Sequence, residues 1–131
     1  MANLKPRREV GTMPKQIILY NLREDVKEED YIKWCNSFKG PLLLGLNSTK
    51  SFTLLRMLGG RKGNGQQGIS PEKTKPPFRF VGILDISSPE EWMKDMASDT
   101  YQKDFFPKFF SEWAGEFYAI IGEEVYHGES D

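Results

Sequence analysis

Two arginines stand inside apolar runs, Arg56 in STKSFTLLRML (48–58) and Arg79 in FRFVGILDIS (78–87). A guanidinium in that setting needs a carboxylate or an anionic ligand, because an unpaired buried charge is costly and the planar fork of donors suits an oxyanion. Asp85 is the acid at hand. Alternation puts Arg79 and Asp85 on one face of a strand, but about 20 Å apart, so no direct pair forms within the strand; Arg56 is placed to reach either. With Tyr20, Asn21, Tyr31 and Trp34 these residues form a candidate ligand cleft between helix and sheet. In such a cleft an arginine would orient a carbonyl or phenolate, and Tyr20 or Tyr31 would relay a proton. The opposing reading is structural: the arginines snorkel to water at strand ends and the aromatics fill the core.

Other polar residues offer less chemistry. His127, the only histidine, lies in the polar tail. Cys35 falls on an apolar helical face with no histidine near it in sequence to activate it. Glu123 and Glu124 are adjacent, so on a strand they face opposite ways and make no dyad. No metal site is legible. GGRKGNGQQG (59–68) contains G-x-G-x-x-G from Gly63 to Gly68, with Asp85 at the spacing of a ribose-binding acid. A dinucleotide turn needs a helix opening at its last glycine, however, and ISPEKTKPP follows, with three prolines and no apolar period. Nucleotide binding is therefore rejected, and no cofactor is expected.

The elements that position these residues follow from the period of the apolar pattern. QIILYNL (16–22) reads as a strand. Tyr31, Trp34, Cys35 and Phe38 recur at i, i+3, i+4 and i+7 after an acidic first turn, which predicts an amphipathic helix stopped by Gly40-Pro41. LLLGL (42–46) adds a short turn before the strand at 48–58. The segment 59–77 is a long, basic, Gly/Pro-rich loop. After the strand at 78–87, Ser88-Pro89-Glu90-Glu91 caps a helix through Trp92, Met93 and Met96. Ser98 and Asp99 open YQKDFFPKFFSEW, in which Pro107 predicts a kink or break. EFYAIIGEEVY (116–126) is the last strand.

The order β-α-β-β-α-β predicts an α+β fold of ferredoxin-like type, a four-stranded antiparallel sheet with both helices on one face. The domain spans 16–126, between a leader at 1–15 and a polar tail at 127–131. The leader carries Lys5, Arg7 and Arg8 but no aromatic stacking partner for a nucleic acid, and Met13 is an alternative start. IILY, SFTLLRML, FVGIL and YAIIG carry apolar residues on both parities, so the face away from the helices also needs cover. A second copy of the sheet provides it, which predicts a homodimer.

Composition bounds the rest. The 131 residues make one domain, and 18 basic against 19 acidic residues create no overall field to draw nucleic acid or an anionic membrane. No apolar stretch suits a signal or membrane span, and a single cysteine allows no intrachain disulfide, so a cytoplasmic protein is expected.

The stretches IILYNLREDVKEEDYIKWCN, PLLLGLNSTKSFTLLRM and FVGILDISSPEEWMKDMASDTYQKDFFPKFFSEW, with FYAIIGEEV, resemble the dimeric α/β-barrel superfamily. Within it they are most similar to the REDY-like/HapK proteins associated with prodiginine-type pigment clusters. The resemblance covers roughly 16–126 apart from the Gly-rich loop, and implies a ferredoxin-like protomer, a dimer and a cleft between helices and sheet. EthD-like domains, more distantly similar, carry a histidine before the proline that follows the first helix. Here Lys39-Gly40 stands in that place, which argues against a histidine-based mechanism. Two functions follow as expectations: binding or transforming a small aromatic or polyketide/pyrrole-like metabolite without a bound cofactor, or a non-catalytic structural or ligand-binding dimer.

Overall fold

A computed structural model of the chain describes residues 14–131. Strand β1 (Lys15–Leu22) leads into a helical segment, α1 (Glu28–Trp34), a π-helical turn (Cys35–Lys39) and α2 (Gly40–Leu44). Strand β2 (Thr49–Arg56) follows, then a hairpin of β3 (Gly60–Asn64) and β4 (Gly68–Thr74), then β5 (Phe80–Ile86). The second helical segment runs through α3 (Pro89–Met96), a π-helical stretch (Thr100–Phe105), α4 (Phe106–Lys108) and another π-helical turn (Phe109–Trp113), and β6 (Ala114–Gly122) closes the fold. The main sheet has the order β2-β5-β1-β6, antiparallel throughout. This is the ferredoxin-like α+β arrangement, with the hairpin inserted between its second and third strands.

Even-numbered side chains of β1 and β5 face the helices: Tyr20, Phe80, Leu84 and Ile86 are buried there against Tyr31, Leu43, Trp92, Phe105 and Phe109. Odd-numbered positions such as Ile17, Leu19, Val81 and Ile83 lie on the open face and are only half-buried. Buried Asp95 accepts a hydrogen bond from the Ser48 amide at 2.7 Å, and Thr49 Oγ1 donates to the carbonyls of Leu43 and Leu46. These bonds tie both helical segments to the start of β2.

Several elements differ from the sequence expectation. Gly40-Pro41 does not stop the first helix, because the Gly40 amide reaches back to the Cys35 carbonyl and forms a wider π-helical turn ahead of the proline. A Cβ on Gly40 would sit 3.0 Å from that carbonyl, so glycine suits the turn. Pro107 likewise follows a π-helical stretch and alters the helix pitch without ending the segment. The stretch 59–77 is not a simple loop: Gly68 takes a positive φ of 75°, and Asn64 Oδ1 accepts from the amides of Gln66 and Gln67, which closes the turn of the hairpin. Pro14 and Lys15, assigned above to the leader, belong to the fold, since the Ile86 amide donates to the Pro14 carbonyl and Lys15 opens β1. Residues 1–13, with Met13 and the basic cluster, lie outside the described residues.

Candidate functional site

The first helix places Tyr31, Cys35 and Lys39 at intervals of four, and the π-helical turn brings Lys39 onto the sheet-facing stripe of the other two. Lys39 is 2% exposed. Its Nζ donates to the Tyr31 hydroxyl at 2.7 Å and the Tyr20 hydroxyl at 3.2 Å, and these two hydroxyls are hydrogen-bonded to each other. Aromatic rings complete the enclosure: Nζ lies 3.9 Å from the Phe109 centroid and 4.8 Å from that of Tyr20. No carboxylate accepts from this ammonium among the described residues.

Burial dominates the electrostatics. It lowers the Lys39 ammonium to about 7, against which only the neighbouring Cys35 acts. Desolvation raises both tyrosines, Tyr31 further by the proximity of Tyr20 and Cys35. Burial also raises the Cys35 thiol, opposed by the Lys39 charge and by a hydrogen bond from Tyr31. The four side chains thus form one hydrogen-bonded cluster, Tyr20–Tyr31–Cys35 with Lys39 bonded to both hydroxyls, in which the Lys39 ammonium alone is brought toward neutral pH.

Two spaces flank this cluster. The inner one, about 30 Å³, lies between Lys39, Gln16, Phe52, Trp92 and Phe109, and has room for about one water. The outer one is an open cleft of about 720 Å³ between the first helical segment and β2, lined by Ile32, Cys35, Phe52, Leu54, Phe80 and Arg56, among others. Phe52 borders both spaces, and Cys35 is the member of the proton cluster on the cleft wall. At the cleft, Arg56 Nη1 is 3.8 Å from Glu28, whereas Arg79 holds the same carboxylate through two bonds of 2.8 and 3.1 Å. Glu28 is held low by that Arg79 bond. One carboxylate between two guanidiniums leaves a net positive charge, with Arg56 the more loosely paired.

The sequence candidates therefore separate. Tyr20 and Tyr31 meet in the core cluster. Arg56 lines the cleft, and Arg79 is engaged by Glu28 and the Met57 carbonyl. Asn21 braces the strand end, accepting from the Arg79 amide and donating to the Pro77 carbonyl. Trp34 stacks with Phe38, Phe109 and Trp113, in an aromatic layer set back from the cleft wall. Asp85 does not join the cleft: its odd position puts it on the open face at the other end of the sheet, bonded to Lys15 and to Ser51 Oγ. His127 is exposed beside Glu129. Lys39, the centre of the cluster, was missed as a site residue, although a charged residue continuing the Tyr31–Cys35 stripe was the signal.

A family model described as REDY-like protein HapK matches residues 14–125. Among solved structures, an EthD family protein from Bacillus halodurans is 19% identical, with a TM-score of 0.61 over 86% of this chain and 99% of its own. HapK from Hahella chejuensis is 18% identical, with a TM-score of 0.61 over 89% and 98%. A dimeric ferredoxin-like protein of unknown function from Thermobifida fusca is 11% identical, with a TM-score of 0.57 over 90% and 98%. At these identities the likeness is one of fold. No curated protein matches the chain. No helix among the described residues is long and apolar enough to cross a membrane.

Proposed function

The chain belongs to the REDY-like HapK family, and from that premise we propose that it works as a homodimer that binds, and acts by proton transfer on, a small aromatic or polyketide/pyrrole-like metabolite. The observation that carries this reading is the cleft itself. Its wall is apolar and aromatic (Phe52, Leu54, Phe80), it offers one loosely paired cation in Arg56, and it meets the proton cluster at Cys35. A planar ligand lies against Phe52 and Leu54 while Arg56 takes its phenolate, enolate or carboxylate oxygen. Lys39, lowered toward neutral pH by burial, is the source or sink of the proton, and Tyr31 relays it through the Cys35 thiol, which suits a tautomerisation or cyclisation. Arg79 and Tyr20 act at one remove, the first by occupying Glu28 and the second by completing the cluster. The dimer reading rests on the half-exposed apolar face of the sheet and on the fold's likeness to a dimeric neighbour.

A second reading is favoured by the size of the inner space, which admits no bicyclic ligand beside Lys39: a structural or ligand-binding dimer without catalysis. Thermal-shift screening of bicyclic phenols, pyrroles and quinones, followed by proton exchange measured on the bound ligand, separates the two. The catalytic reading expects a hit that Arg56→Met weakens by about 1.5–3 kcal/mol with the fold intact, and proton exchange on the bound ligand that Lys39→Met abolishes. Absence of any hit on the wild type, or exchange unaffected by Lys39→Met, refutes it.

A further inference from the structure

The inserted hairpin has no core of its own. Its strands pair only with each other in the sheet, and apart from Gly60 and Ser70 its residues are exposed. Leu58 at its entry is 84% exposed and Ile69 in β4 is 75% exposed. An isolated two-stranded hairpin is marginal in water, so a lasting one needs something to lie against. It is also strongly basic: Arg61, Lys62, Lys73 and Lys75 against Glu72.

The complementary surface is in the same chain but out of its own hairpin's reach. A groove of about 550 Å³ lies where the tail leaves β6, between Lys15, Ile17 and Asp85 of the open sheet face and residues Gly122–His127. The tail carries Glu123, Glu124, Glu129 and Asp131, and exposes Val125 at 64% and Tyr126 at 72%. Of these, Glu123, Glu124, Val125 and Tyr126 line the groove and face the cations, Leu58 and Ile69 of a hairpin, with Glu129 and Asp131 further along the tail. Strand order and register place the two features at diagonally opposite corners of the sheet. The hairpin leaves between β2 and β5 at the end of Arg56 and Phe80, and the tail leaves edge strand β6 at the end of Lys15.

Resting on the homodimer reading above, we propose that the hairpin of each protomer lies in the tail-end groove of its partner. A two-fold axis between the sheets and perpendicular to the hairpin–tail diagonal exchanges the two corners, so the strands of the two sheets cross at a large angle. An axis along that diagonal would set hairpin on hairpin and tail on tail, like charge on like, which electrostatics rejects. Reach is sufficient, because strands of five to seven residues extend about 17–24 Å and packed sheets stand about 10 Å apart.

Sedimentation of the full chain at 50 and 500 mM salt, with cysteine cross-linking, tests this arrangement. In the first, Arg61→Glu/Lys62→Glu/Lys73→Glu and, separately, Glu123→Lys/Glu124→Lys each weaken the dimer about tenfold or more at 50 mM salt. Combining both reversals in one chain restores it. In the second, Lys62→Cys cross-links to Glu124→Cys in a mixture, and neither variant cross-links to itself. A wild-type monomer overturns the dimer reading itself. A wild-type dimer indifferent to the reversals, or Lys62→Cys cross-linking to itself, leaves the dimer standing and overturns the exchange of hairpins.

Discussion

Replacing Lys39 by methionine should make the protein more stable, by an amount that depends on pH. The folded chain holds this ammonium at about 7 and an exposed lysine titrates at 10.5. The folded value is therefore the depressed one. Between the two, the unfolded chain binds a proton that the folded chain does not, so stability rises with pH from about 7 to about 10.5, and the penalty is complete below 7. Integrated over that difference, the buried amine costs the wild type roughly 4 kcal/mol at pH 7 and ~2 kcal/mol at pH 9. Methionine fills a similar volume and does not titrate. It forfeits the hydrogen bonds to Tyr20 and Tyr31, which keep each other as partners, at a cost of about 1 kcal/mol. Lys39→Met should thus gain roughly 2–4 kcal/mol near pH 6–7 and about 1 kcal/mol at pH 9. Urea unfolding at fixed protein concentration measures this, read by tryptophan fluorescence because Trp34 and Trp113 stack within the same aromatic cluster. A difference that stays constant from pH 6 to 9.5, or a destabilised variant at pH 6.5, would refute the argument that Lys39 is buried without a counter-charge. A stable, ligand-binding Lys39→Met that no longer exchanges protons would show why a costly lysine is kept.

Phe52→Ala should join the inner space to the outer cleft, admit water to Lys39 and speed its acylation by acetic anhydride several-fold at pH 8, as mass spectrometry of the labelled peptide would record; an unchanged rate argues that Phe52 does not screen the amine. Gly40→Ala forces a Cβ to 3.0 Å from the Cys35 carbonyl, and should cost about 1–2 kcal/mol in chemical denaturation. Ser88→Ala removes the acceptor for the Glu91 amide at the start of α3, and should cost about 1 kcal/mol with ligand binding unchanged.

The fold was legible because its signals are periodic. The short apolar run of FVGILDIS, the 3–4 spacing of Tyr31, Trp34 and Cys35, and the Ser88-Pro89 cap each state a local geometry, and the order of elements does the rest. The errors fall where two local rules compete. Gly40-Pro41 obeys the helix-stop rule only in a regular α-helix, and one i→i−5 bond to Cys35 evades it. The glycines at 59–68 signal irregular backbone in general, yet Gly68 and Asn64 use that freedom to close a two-stranded turn. Of the proposed cleft residues, Asp85 is excluded by register, which the sequence does not state: Lys15 pairs with Asp85 and Tyr20 with Phe80, so Asp85 lies on the face opposite Tyr20. Lys39 was lost for a different reason. Its neighbours Gly40 and Pro41 marked it as a helix end, where lysine is ordinary and solvated, although its spacing from Tyr31 and Cys35 marked it as buried. Type and spacing disagreed, and spacing prevailed, because the ring cage of Phe109, Tyr20 and Tyr31 holds the ammonium that the helix end would have released to water. A charged residue that keeps step with an apolar stripe is thus the place where this sequence departs from what folding alone requires, and it is there that the argument for chemistry begins.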